Sequence, residues 1–211
     1  MTAGGLRRYA RAGPAAAPAP PPVVERCGLC GADLGGRHGH VVALDDRALR
    51  CTCRPCYLLF TPAGAAGGRI RAVPERYLTD PERPIADSDW DRLQIPVTTA
   101  FFFVNSDVGR VVACYPSPAG VTESLLDLAG WERLRQSYPL LCRPEPDVEA
   151  IYATSAGPAI EAYLVPIDAC FALAGAVRLR WQGIDGGPDV RQALAEFRDD
   201  LRRRSRPYGA G

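Results

Sequence analysis

The chain contains no lysine: its 25 Lys-plus-Arg positions are all arginine. That excludes a Schiff-base lysine and a P-loop lysine. Only two histidines occur, His38 and His40, so no Ser-His-Asp or Cys-His arrangement can be built from residues beyond 40. Charge of one sign is also lacking. The net charge of +1 over 211 residues argues against a dedicated surface for nucleic acid or acidic membranes. No stretch approaches about 18 uninterrupted apolar residues, so no segment reads as a membrane span. An Arg7-Arg8 pair precedes an alanine-rich run, but Pro14, Pro18, Pro20, Pro21 and Pro22 stand where an export signal needs its apolar core. Residues 1–23 therefore read as a disordered Pro/Ala segment, with one helical turn at Leu6 to Arg11, and the protein as cytoplasmic.

Cysteine is concentrated. Of eight cysteines, five fall between residues 27 and 56. Cys27-Gly28-Leu29-Cys30-Gly31 and Cys51-Thr52-Cys53-Arg54-Pro55-Cys56 each contain a Cys-x-x-Cys pair. Two thiolates of one tight turn can share a metal ion, and a second turn completes a tetrahedral set at about 2.3 Å. In a cytoplasmic chain, paired cysteines favour metal over disulfide. Cys27, Cys30, Cys53 and Cys56 are the expected ligands. Cys51 shares a strand face with Cys53 and is the alternate ligand, although a small, buried apolar side chain is the preferred reading for it. His38 and His40 lie between the clusters and could contribute, but their Gly-rich surroundings suit plain surface residues, and four thiolates already suffice. Zinc is the expected occupant and a single iron, as in rubredoxins, the alternative. Four protein ligands leave no open position, which argues against metal-centred catalysis.

Residues 24–60 thus read as a four-cysteine, zinc-ribbon-like module. Inside it, residues 40–44 and 47–51 flank Asp45-Asp46 as a β-hairpin. Residues 61–70 are a Gly/Ala loop. Residues 69–206 read as an α+β domain. Strands are expected over 97–104, 110–115, 148–153 and 159–165, and helices over 128–138, from Pro166 to about 181, and from Pro188 onward. Asp127 is the expected cap of the first helix. The order gives two β-β-α units and a C-terminal helix, folded as an antiparallel sheet of about four strands with helices over one face. Tyr115 to Ser124 reads as a loop rich in hydroxyls. Phe101, Phe103, Tyr115, Ser117, Thr122, Glu123 and Ser124 are the candidate contact surface. Cys114, Cys142 and Cys170 sit among apolar neighbours and read as core thiols.

The two Cys-x-x-Cys turns, Leu6-Arg7-Arg8-Tyr9-Ala10-Arg11, Ile95-Pro96-Val97, Phe101-Phe102-Phe103, Tyr115-Pro116-Ser117-Pro118-Ala119-Gly120, Thr122-Glu123-Ser124 and Tyr163-Leu164-Val165-Pro166-Ile167-Asp168 together resemble a family of uncharacterised bacterial proteins. That family is common in actinobacteria and associated with gene clusters for uptake [NiFe] hydrogenases. The resemblance spans residues 6–206. It implies a non-enzymatic accessory protein whose partner is a [NiFe] hydrogenase, its maturation machinery or its iron–sulfur components. A rubredoxin-like electron carrier is the second reading. A nucleic-acid-binding treble-clef or HNH-type module is a weaker third, suggested by His38 and His40 between two cysteine pairs and opposed by the near-neutral charge.

Overall fold

A computed structural model describes residues 24–95, 97–124, 126–155 and 159–209. The expectation of disorder over 1–23 falls outside the described residues. The hairpin around Asp45-Asp46 is present as β1 (Gly39–Ala43) and β2 (Ala48–Thr52). Asp46 holds its turn by accepting from the Ala48 N–H at 3.2 Å and from Arg50. Arg47 takes the left-handed conformation, φ 55°, that reverses the chain. After α1 (Arg54–Leu58) and a 3₁₀ turn at Ala65–Gly68, β3 (Ile70–Ala72) pairs with the other edge of β1. The first sheet, ordered β2-β1-β3, is therefore completed by residues beyond 60.

The second sheet has seven strands, not four. Its expected members are β5 (Thr99–Asn105), β6 (Arg110–Ser117), β8 (Glu149–Ser155) and β9 (Ile160–Pro166). Three more were not foreseen: β4 (Leu78–Thr79), β7 (Gly120–Ser124) and β10 (Arg206–Pro207). The order is β10-β4-β9-β8-β5-β6-β7, antiparallel throughout except for β10 beside β4. The stretch Tyr115 to Ser124, expected as a loop, is a hairpin. β6 runs on through Pro116 to Ser117, and Gly120, at φ 105°, turns the chain into β7. Ser117 and Thr122 share a hydrogen bond across it at 2.7 Å. β6 tolerates Pro116 because its ladder with β5 ends at Cys114, which leaves that side of the strand free at residue 116 and able to spare a donor.

Helices cover both faces of this sheet, which corrects the expectation of one. The reason lies in β5, where consecutive rather than alternate residues are apolar. Phe101 points to one face, with Cys114, Tyr152 and Tyr163. There α4 (Ile167–Arg180) and α5 (Gly187–Arg204) pack through Cys170, Leu173, Val177, Val190 and Leu201. Phe102 points to the other. It stacks on Trp131 of α3 (Leu128–Ser137) at 4.5 Å and meets Trp90 of α2 (Asp87–Asp91) edge-on. Leu134, Leu140, Leu141 and Ile151 fill the rest of that layer. Asp127 caps α3 as expected, accepting from the Ala129 N–H at 3.0 Å. The two β-β-α stretches differ: β7 intervenes in the first, and their helices lie on opposite faces.

Among the thiols expected in the core, Cys114 and Cys170 are buried and Cys142 is exposed. Burial pushes Cys114 up to about 12 and Cys170 well above the usual thiol range, so both are inert.

Glu149 is a fully buried carboxylate on β8. Arg76 meets it with Nε at 2.5 Å and Nη2 at 2.7 Å, and the Glu145 N–H adds a third bond at 2.9 Å. Arg76 precedes β4, so this fork ties the segment leaving the first sheet to the centre of the second. Removing the cation alone leaves a buried charge unpaired. Arg76→Ala is expected to cost about 3 kcal/mol in urea unfolding. A loss under about 1 kcal/mol would show that the fork is dispensable.

Candidate metal centre

Residues 24–37 bury one side chain, that of Cys27. What organises this segment is hydrogen bonding around a turn. The Gly31 N–H donates to Cys27 O at 2.9 Å, the Cys27 N–H donates to Ala32 O at 2.7 Å, and Gly31 takes φ 75°. The glycine after Cys30 thus closes a knuckle by adopting a conformation other residues resist. The second knuckle leads into α1. Cys53 is its cap residue, Pro55 sits in its first turn, and Cys56 follows one turn on. Tyr57 anchors that helix. Its ring lies so close over Gly39 that a Cβ there would come within 2.4 Å, and its hydroxyl donates to Val73 O at 3.0 Å.

These two turns bring the sulfurs of Cys27, Cys30, Cys53 and Cys56 within 4.8 Å of one another. A tetrahedron of thiolates about 2.3 Å from a central ion has edges of about 3.8 Å, and the Cys30 and Cys53 sulfurs are 3.7 Å apart. The donor set therefore fits zinc or iron. Burial opposes ionisation of Cys27, but backbone N–H groups of Cys53, Cys30 and Leu29 outweigh it and bring its thiol down to about 6. Shared hydrogens with Cys30 and Cys53 push Cys56 up to about 12. Sulfurs this close cannot all carry negative charge unless a cation lies among them. Cys30 is exposed and Cys53 and Cys56 are half-buried, so the cluster sits near the surface.

Cys51 does not join the four. It stands directly opposite His40 in the hairpin ladder, and its sulfur lies within 4.8 Å of ligand atoms of both His38 and His40. It is half-buried. Burial raises its thiol, and the carboxylates of Glu25 and Asp168 raise it further. His38 and His40 are not plain surface residues either. His40 Nδ1 lies 2.7 Å from Asp168 Oδ2 of α4, and His38 Nδ1 lies 3.3 Å from Gly35 O. The sequence carried a signal for this group. Strands symmetric about Asp45-Asp46 set residues 40 and 51 opposite each other, and residue 38 shares the face of residue 40.

The candidate contact residues are scattered over one end of the large sheet. Phe101 is fully buried against α4 and offers no surface. Ser117 is buried in the β6–β7 hairpin, and Tyr115, Thr122 and Ser124 are half-buried on its two strands. Phe103 and Glu123 line a cavity of about 700 Å³. It is walled by Val42, Leu44 and Leu49 of the first sheet's hairpin and by Val112, Ile167 and Phe171 of the large domain.

Residues 26–205 match the model of a family described as "Family of unknown function (DUF5947)", and the chain belongs to that family. No curated protein and no solved structure matches the chain.

Because thiols must give up protons to bind metal, zinc affinity is expected to fall as pH drops below 7, read by competition with a chromophoric chelator. Cys56→Ser and Cys30→Ser are each expected to lose the ion of the four-sulfur site and to become protease-sensitive over residues 24–38. Undiminished metal content in both variants would remove these residues from the ligand set.

Proposed function

We propose that this protein is a non-enzymatic accessory factor in which a structural zinc ion staples the N-terminal knuckles to an α+β body that binds a protein partner. The single observation that supports it most is the convergence of four cysteine sulfurs from two turns within 4.8 Å. Four protein thiolates saturate a tetrahedral ion and leave it no substrate position. The apolar cavity at the junction of the two sheets supports a binding role, because it joins residues of both at one surface. The partner we propose is a [NiFe] hydrogenase, its maturation machinery or an iron–sulfur component of it. This follows from the resemblance of the motifs to proteins of hydrogenase gene clusters.

A second reading, a rubredoxin-like iron site, is favoured by one observation: the exposure of Cys30 beside two half-buried cysteines. An iron so close to the surface would exchange electrons with a docked partner. In both readings the ligands are Cys27, Cys30, Cys53 and Cys56.

Elemental analysis of untagged protein purified without oxygen separates the two. Zinc in the four-sulfur site, with no visible absorption, is expected. Iron with thiolate-to-iron bands would replace the first reading by the second. The partner is tested by titrating the full chain against purified hydrogenase subunits and their maturation proteins. Micromolar or tighter binding, weakened at least tenfold by Phe103→Asp, is expected, and no binding to any of them would end the hydrogenase assignment.

A further inference from the structure

We infer that His38, His40 and Cys51 form a second metal site, which binds one transition ion of the zinc class through three protein ligands and leaves one position exchangeable. The ligand atoms of the three residues lie within 4.8 Å of one another. Two imidazole nitrogens and one thiolate around a zinc-class ion at about 2.0–2.3 Å need separations of about 3.3–3.8 Å, which small rotations supply from this starting point.

The imidazoles are already oriented. Metal-binding histidines usually donate their second ring N–H to a carboxylate or a carbonyl, which fixes ring direction and tautomer. Both arrangements occur here. His40 Nδ1 meets the Asp168 carboxylate at 2.7 Å and His38 Nδ1 meets the Gly35 carbonyl at 3.3 Å. With Nδ1 so engaged, Nε2 is the ring atom left to a metal, although the Glu25 carboxylate stands 4.0 Å from that of His38. A hydrogen bond that merely docks the hairpin on α4 needs only His40 and Asp168. It does not account for His38 and Cys51 converging on the same point. The supports are rigid: His40 and Cys51 are ladder partners in β1 and β2, and Asp168 lies in the first turn of α4.

The fourth position has room. His38, His40 and Asp168 line a cavity of about 660 Å³, whose other walls include Arg37, Arg76, Arg204 and Arg206. Three protein ligands beside a cavity with ample room for solvent is the pattern of an ion that keeps a water or an exogenous ligand. Arg76 is held by Glu149 and Arg204 by Asp200, and Glu75 shares the wall, so Arg37 and Arg206 are the cations that favour a small anion in that place. The site differs in character from the four-sulfur cluster, which is complete in itself.

The test uses the full chain, reduced and loaded with Co²⁺ or Zn²⁺. Two ions per chain are expected by elemental analysis. Cys51→Ala and the double variant His38→Ala/His40→Ala are each expected to hold one, with the absorption of the four-thiolate cobalt site unchanged. Azide, as the anion probe, is expected to shift the cobalt d–d bands of the unsubstituted protein and not those of Cys51→Ala. Should those variants fail to fold, Asp168→Asn decides: it spares every ligand and is expected to weaken the second ion about 10–100-fold. One ion in the unsubstituted protein would overturn the site, as would two ions in every variant or full affinity in Asp168→Asn. Two ions without an azide shift would overturn the exchangeable position.

Discussion

The fold at the N-terminal end depends on four cysteine sulfurs of two turns meeting within 4.8 Å. Residues 24–37 bury nothing but Cys27, so they lack the apolar area that would offset the entropy of ordering them. A metal ion held by these four sulfurs would contribute on the order of 10 kcal/mol, as structural zinc does in small ribbons, enough to order a segment of this length. Everything downstream in the module takes its position from that point. The first knuckle is clamped to the hairpin, its Gly28 N–H donating to Cys51 O at 2.8 Å. The chain between the knuckle and β1 then delivers His38 to the face of His40.

The larger domain is organised by a different constraint, the two-sided burial of β5 and β8. Phe101 and Phe102, adjacent in sequence, each reach a separate apolar layer. A sheet with two buried faces must be roofed twice, and the chain supplies α4 and α5 on one side and α2 and α3 on the other. Val42 of β1 and Val73, the residue after β3, join the same cluster as Phe101 and Ile167. The cysteine module therefore shares a core with the body, although neither the four-cysteine cluster nor the His38, His40 and Cys51 group draws a residue from it.

The sequence revealed most where its signals were local. Paired Cys-x-x-Cys turns marked four sulfurs that the fold does bring together, and β-branched and aromatic runs marked the four long strands. What escaped was decided by distant contacts. β4 and β10 are two residues each and exist only because neighbours offer open edges. β7 was hidden by Pro116, Pro118 and a run of hydroxyls that resembles a loop until it lies on an edge. α2 is one turn and a half, recognisable only once Trp90 meets Phe102. Cys51 reads as a spectator as long as cysteines alone count as its partners. The hairpin register instead places it opposite a histidine.

The contact between His40 Nδ1 and the Asp168 carboxylate joins a strand of the first sheet to the helix that follows β9, with Val42 buried just beyond it. A knuckle module tethered by a linker would sample many orientations and surrender that freedom on meeting a partner. Here the hairpin is fixed to the body before any encounter, so the cavity walls are set in advance and association carries little reorganisation penalty. A partner docking there would meet a rigid template, with tolerance for different shapes traded for speed of recognition.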